Sequence, residues 1–263
     1  MNLSEPFRLD GRVAFVSGAA GHLGRAMTNA LLGAGADVIV NGRDPSRLAD
    51  FAAHMESHGH AVQPAAFDMA DIAAVRAFFG GLPRLDILVN NAVSMRVKPM
   101  HALDAEDFEI TYRSSVTAAF EATRASLPAL RQGVLAAGEA SIIQVASMYG
   151  LVSPDKRIYT NPVQASPFHY GPAKAALLQL TRHMAAELGP ERIRVNALVP
   201  GPFPRPEAQA SDPDFAARLA QRTMLGRLGQ AHEIAGPLLF LASPAAAYMT
   251  GASLVIDGGW TAW

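Results

Sequence analysis

The sequence predicts a single α/β domain: a doubly wound parallel sheet of about seven strands with helices on both faces. Three observations predict it. Short apolar runs alternate with longer helical patterns along the whole chain. The runs are continuously apolar, as strands covered on both faces are. The first run leads through a glycine-rich turn into a helix. Half of the 263 residues are hydrophobic, enough for such a sheet, and no linker, repeat or low-complexity tract divides the chain. Residues 1–263 therefore read as one domain.

The first strand is Val13–Val16, inside the run from Arg12 to Ser17. It enters a turn carrying Gly18, Gly21 and Gly24, and the apolar run 25–32 follows as a helix. Strand, glycine turn and helix in this order are the context of a dinucleotide fingerprint. Glycines let the backbone turn tightly and approach a pyrophosphate, while the helix N-terminus offers free N–H donors and partial positive charge. Further strands are expected at 38–40, 62–65, 87–89, 142–145, 194–198 and 254–256. Helices are expected at Pro45–Ser57, 72–79, 106–130, 168–188 and 232–241, and the alternation implies right-handed crossovers.

Two segments break the rhythm. Residues 150–167 carry Pro154, Pro162 and Pro167, and residues 201–213 carry Pro202, Pro204, Pro206 and Pro213 before a short amphipathic stretch, 215–222. Both are expected as irregular insertions at the carboxyl ends of strands, where open sheets bind ligands, and so as walls of a substrate pocket spanning about 150–167 and 201–222.

Composition excludes several functions. The charge is nearly balanced, 22 basic against 23 acidic residues, with no basic block, which argues against a nucleic-acid partner. There is no cysteine, so disulfides, thiolate catalysis and cysteine-ligated metal are excluded, and no metal site is expected. No apolar stretch approaches membrane-spanning length, and the opening MNLSEPFRLDG has no signal-like apolar core. The expectation is a soluble cytoplasmic protein acting on a small molecule.

Tyr170 and Lys174 carry the chemistry. Positions i and i+4 share a helix face. A cation beside a phenol favours the phenolate, and a phenol tuned in this way exchanges a proton with an alcohol or carbonyl near neutral pH. Pro172 does not oppose this, because the first helical N–H groups have no intrahelical partner. A helix starting near Phe168 or His169 keeps Tyr170 in its first turn.

Ser17-Gly-Ala-Ala-Gly-His-Leu-Gly24, Asn90-Asn-Ala92, Ser147, Tyr170 with Lys174, Pro200-Gly201 and the closing Thr250-Gly with Asp257-Gly-Gly resemble the short-chain dehydrogenase/reductase family, from about Leu9 to the C-terminus. The resemblance implies a Rossmann-type fold. It implies that Ser147 holds the substrate oxygen beside the Tyr170 hydroxyl, and that Lys174 lowers the tyrosine pKa and holds the nicotinamide ribose. Ser115 stands where the family has a proton-relaying asparagine. Cofactor contacts are implied for Ser17, Gly18, Gly21, His22, Leu23, Gly24, Asn41, Arg43, Asp68, Met69, Asn91 and Ala92. Tyr170, Lys174, Pro200, Gly201 and Phe203 complete the set.

Three departures accompany it. His22 takes a position usually held by glycine, its ring facing either solvent or the phosphates. Val93 replaces a glycine and restricts the backbone. Pro204 and Arg205 occupy the region of a carboxamide-binding threonine, so that backbone groups substitute or Arg205 faces substrate. Asp68 reads either as an adenine contact or as a cap of the strand end.

At the end of the second strand Gly42 stands where an NAD-selecting aspartate is expected, and Arg43 follows. A guanidinium there pairs with a 2′-phosphate. NADP(H) is favoured, with NAD(H) the alternative. The expected function is interconversion of a secondary alcohol and a ketone, with Tyr170 as general acid/base. The alternatives are a nucleotide-sensing protein without turnover, and an epimerase or dehydratase using transient oxidation. Arg96, Lys98, Arg157 and Arg205 lie in the pocket-wall segments, which suggests an acidic or oxygen-rich substrate. The resemblance also implies a homo-oligomer, tetramer or dimer, through helices 106–130 and 168–188 and the segment 251–263. Trp260 and Trp263 would pack there against a partner or against their own domain.

Overall fold

A computed structural model describes residues 4–160 and 165–263; Pro162, counted above in the proline-rich segment, lies outside the described residues. The strands are β1 Val13–Val16, β2 Asp37–Gly42, β3 Val62–Ala66, β4 Ile87–Asn90, β5 Ala140–Val145, β6 Ile193–Pro200 and β7 Ser253–Ile256. All pair in parallel, in the order β3-β2-β1-β4-β5-β6-β7. The chain winds outward in both directions from β1, which pairs with β2 on one side and β4 on the other. That reversal opens a crevice at the carboxyl ends of the strands, the place where such sheets bind ligands.

The helices are α1 His22–Gly33, α2 Pro45–Ser57, α3 Ile72–Gly80, α4 Ala105–Tyr112, α5 Ala118–Ala137, α6 Tyr170–Leu188, α7 Pro206–Ser211, α8 Pro213–Gln221 and α9 Ala235–Ala242. Successive strand side chains point to opposite faces, and each face has its own core. Ala14, Val16, Val38 and Val40 pack with Met27 and Leu31 of α1, Phe51 of α2 and Leu238 of α9. Phe15, Ile39 and Leu88 pack with Phe79 of α3, Leu130 of α5 and Met184 of α6. A third, smaller core lies apart from the sheet: Met148, Ile158, Leu219, Leu228 and Trp260.

Local sequence accounts for the helix starts. Asp44 and Asp71 each accept two backbone N–H bonds at the heads of α2 and α3, and Asp104 with Asp107 forms a reciprocal capping box ahead of α4.

Three expectations are corrected. The helix expected at 106–130 is α4 and α5 joined through a π-helical turn, Arg113–Thr117, and it runs on to Ala137. The proline-rich segment after β6 is not irregular: Pro206 and Pro213 open α7 and α8, a position where the missing N–H costs nothing. Within 150–160, Asp155 caps a 3₁₀ turn, Lys156–Ile158, which sends Ile158 into the third core. Trp260 is buried there within its own chain, whereas Trp263 is two-thirds exposed. Among the described residues no helix is long and apolar enough to cross a membrane, and no cluster of potential metal ligands occurs.

Candidate active site

Two adjoining cavities occupy the carboxyl edge of the sheet. The first, about 430 Å³, lies over the switch point and is lined by Gly18, Gly21, Asn41, Arg43, Asp68 and Met69 together with Asn91 and Ala92. The turn holding Gly18 and Gly21 is fixed from below. The Ser17 hydroxyl accepts the backbone N–H groups of Asn91 and Ala92, at 2.8 and 3.0 Å. The Asn91 amide donates to the Ser17 and Gly18 carbonyls. At Gly24 a Cβ would collide with the Gly18 carbonyl, so only glycine lets α1 start this close to the turn.

Several side chains of the expected contact set also brace the floor of this cleft. Ser17 is fully buried, and the Asn41 amide donates to the Ala65 and Phe67 carbonyls. Leu23 packs into the core on the α1 face. These side chains hold the cleft's shape. Asp68 lines the cleft and accepts the Ala70 N–H at 2.9 Å, as the cap reading has it. Val93 lines the cleft without a left-handed backbone, so the replacement of glycine brings no strain there.

The rim is cationic. Arg43, Arg47 and Arg205 all line it, and Arg43 donates to the Ser94 hydroxyl at 3.3 Å. Arg47, one turn into α2, went unnoticed in the sequence; its signal was the spacing i, i+4 from Arg43. His22 is the first residue of α1, and its Nε2 is buried without a partner rather than solvent-facing. Burial and the nearby Arg205 hold its pKa below the usual value.

The second cavity, about 360 Å³, contains Ser147, Tyr170, Gly201 and Phe203. Ser147 follows β5 and opens a short turn, Met148–Gly150, whose Tyr149 N–H its hydroxyl accepts. Tyr170 is the first residue of α6, and its phenol shares the cavity with the Ser147 hydroxyl, which acts on its titration. Lys174, one turn on, is 3% exposed. Its Nζ donates to the Val145 carbonyl at 2.7 Å and stands 5.6 Å from the centre of the Tyr170 ring. The spacing thus brings serine, tyrosine and lysine together.

Their titration differs from expectation. Burial pushes the Tyr170 pKa up, only partly opposed by the Ser147 hydroxyl, and pulls Lys174 down to about 8. Against the expected net lowering of the phenol, burial dominates, because desolvation acts on both groups and disfavours both charges.

Ser115 is buried on the π-helical turn and donates to the Thr111 carbonyl at 2.6 Å. Its neighbour Ser114 lines the first cavity and accepts the Ser94 N–H at 2.9 Å, a contact with no local signal in the sequence. Pro200 is the buried last residue of β6 and leads into the cavity wall at Gly201.

The residues present suit a dinucleotide. The cleft offers glycine backbone ahead of a helix N-terminus and the guanidinium groups of Arg43, Arg47 and Arg205, the donor set that phosphates require.

Comparison with known proteins agrees with this geometry. Residues 18–261 match a family model described as enoyl-(acyl carrier protein) reductase. A rhamnolipids-biosynthesis 3-oxoacyl-(acyl-carrier-protein) reductase of Pseudomonas aeruginosa is 34% identical over 259 residues, 96% of this chain and 97% of that protein. Among solved structures, a P. aeruginosa NADP active-site complex superposes with a TM-score of 0.87 at 33% identity, covering 97% of this chain and 98% of the other. A gluconate 5-dehydrogenase of Burkholderia cenocepacia, in complex with NADP and tartrate, gives 0.84 at 31%, covering 98% of both chains. Sheet order, glycine turn and matched length lead to one conclusion: the chain belongs to the short-chain dehydrogenase/reductase family of oxidoreductases.

Proposed function

We propose that this protein is an NADP(H)-preferring oxidoreductase that interconverts a secondary alcohol and a ketone, with Tyr170 as the proton-transferring group. The observation that carries this is the meeting of Ser147 and Tyr170 on one wall of a cavity adjoining the dinucleotide cleft, with Lys174 buried behind the phenol, 5.6 Å from the ring centre. When bound, the nicotinamide cofactor supplies or accepts the hydride. The Ser147 hydroxyl donates a hydrogen bond to the substrate oxygen and fixes it beside the phenol. An ordinary phenol is protonated at neutral pH and burial favours that form further, so Tyr170 holds a proton to give to a carbonyl oxygen. The nearby Lys174 ammonium lowers the cost of the phenolate left behind.

The preference for NADP(H) is supported by Gly42 in place of a carboxylate and by Arg43 and Arg47 on the rim, and by NADP in the related structures. Homo-oligomeric assembly is supported by the family resemblance, with α5 leaving Phe120 and Leu135 exposed.

The deciding experiment is NADPH consumption over a ketone panel by the parent protein and Tyr170→Phe. The variant is expected to lose about 10²-fold or more in kcat while still binding NADPH. Equal rates in the two proteins would remove Tyr170 from the mechanism.

A further inference from the structure

We infer that the active site takes apolar ketones and secondary alcohols, bearing an alkyl or aryl group next to the reacting carbon, in preference to sugar acids and other polyhydroxylated substrates. The inference rests on the oxidoreductase reading above.

The wall that faces Ser147 and Tyr170 is built from Met95, Val97, Met148, Phe203, Phe215 and Leu219. Among the described residues no charged side chain lines this cavity. The cations that the sequence offered for an acidic substrate are engaged elsewhere. Arg96 is bound to Glu106 at 3.1 Å and faces Asp107 at 3.6 Å. Lys98 is bound to Asp107 at 2.7 Å, and Arg157 to Asp155 at 2.8 Å. Arg205 lines the dinucleotide cleft instead.

Few polar groups are left on the wall: besides the Ser147 and Tyr170 hydroxyls, the Ser166 hydroxyl is buried there without a partner and can serve one substrate oxygen, which falls short of a polyol's needs. The Tyr149 and Tyr159 hydroxyls are hydrogen-bonded to each other at 2.7 Å, so each has little left to offer a polyol. Met148 and Leu219 are buried members of the third core, which makes this apolar wall a built feature rather than loose chain. Met95 and Val97 continue it to the mouth, where they are 43% and 48% exposed.

Placing a carboxylate or several hydroxyls against such a wall strips their water without replacing its hydrogen bonds. An alkyl or aryl group gains there what it loses in water. Related gluconate dehydrogenases share the fold, so the distinction is drawn by this chain's own wall residues.

The test is a steady-state assay of the full-length protein with NADPH and four ketones: 2-octanone, acetophenone, acetone and 5-ketogluconate. The expected result is a kcat/KM for 2-octanone and acetophenone about ten-fold or more above that for acetone, with 5-ketogluconate the poorest of the four. Val97→Lys, at an exposed position where the fold is not at stake, should cut the octanone-to-acetone ratio several-fold. Turnover of 5-ketogluconate equal to or faster than that of octanone overturns the inference and leaves the oxidoreductase reading intact. An octanone-to-acetone ratio near one, or one unmoved by Val97→Lys, also overturns it. If NADPH binds and no ketone is reduced, the failure is of the oxidoreductase reading itself.

Discussion

Lys174 holds the sharpest electrostatic conflict in the molecule. An ammonium group is taken out of water beside a phenol, with one carbonyl, that of Val145, to receive it. Its fall from the ordinary 10.5 to about 8 corresponds to roughly 3 kcal/mol of disfavoured charge. Because the folded pKa lies below the unfolded one, the unfolded chain binds more protons between about pH 8 and 10.5. Stability contributed by this group therefore rises with pH across that window, and below it the cost of the buried cation is fully present. The charge that costs stability is the one the proposed chemistry uses. As kcat/KM reports free-enzyme pKa values, kcat/KM for NADPH in ketone reduction should fall as pH rises through about 8. A profile level from pH 7 to 10 would show that the ammonium has no part in the reaction. The pairing of Tyr170 with Lys174 was legible from four-residue spacing alone. The direction of the Tyr170 shift was not, because desolvation is set by chain segments far away in sequence, among them the turn after Ser147. His22 escaped for the same reason: nothing local says that its Nε2 is enclosed.

At the scale of elements, the distance between the serine-bearing turn and α6 is set by two missing side chains, those of Gly171, whose Cβ would lie 2.8 Å from the Tyr149 carbonyl oxygen, and Gly150. A Cβ on Gly150 would lie 2.9 Å from the Lys174 carbonyl carbon and 3.0 Å from the Ala175 nitrogen, both backbone atoms that cannot swing aside. Gly150→Ala must therefore push Met148–Gly150 away from α6, carrying Ser147 from Tyr170. The expected result is a loss of about 1–3 kcal/mol in unfolding free energy and a drop in kcat of about 10-fold or more, since small misplacements of reacting groups are costly. NADPH affinity should suffer less, because the glycine turn and β2 rim belong to other elements. Denaturant unfolding and single-turnover kinetics on the one variant check both parts; a fully stable and fully active Gly150→Ala protein would contradict the close packing.

Elements of this kind divide by how local their causes are. Strand positions, the caps at Asp44 and Asp71 and the seat of Pro172 in the first turn of α6 follow from short-range rules. The π-helical turn under Ser114 and Ser115 does not, since an extra residue inserted in a helix leaves the apolar pattern on either side intact. The helices α7 and α8 were hidden by prolines that read as breakers but act as first residues.

For the molecule as a whole, the sheet and its two cores form one body, and the cleft runs along its carboxyl edge where β1, β2, β3 and β4 end. A ligand filling that cleft touches the ends of four strands and the glycine turn ahead of α1, so it stabilises the fold globally rather than one loop. At a concentration 100 times its dissociation constant, a ligand that binds only the native state adds about 2.7 kcal/mol. In a chain of this length about 1 kcal/mol moves the melting temperature by about 2–4 °C, so saturating NADPH should raise it by roughly 5–10 °C. The two cofactors differ only in a 2′-phosphate, and β2 ends in Gly42 followed by Arg43, with Arg47 at the rim. A charge-assisted hydrogen bond is worth about 1.5–3 kcal/mol, enough to separate NADPH from NADH by ten-fold or more in affinity. At equal concentrations NADH should therefore raise the melting temperature by several degrees less. In Arg43→Ala/Arg47→Ala the two shifts should converge on the NADH value, because the pyrophosphate contacts at the glycine turn are untouched while the phosphate loses its partners. Both arginines are exposed and leave the cores alone, so the melting temperature without ligand should stay within a degree or two of the parent's. Equal shifts from NADPH and NADH in the parent protein would mean that the guanidinium groups at the end of β2 only face water, and absence of any shift would mean that the cleft does not take a dinucleotide.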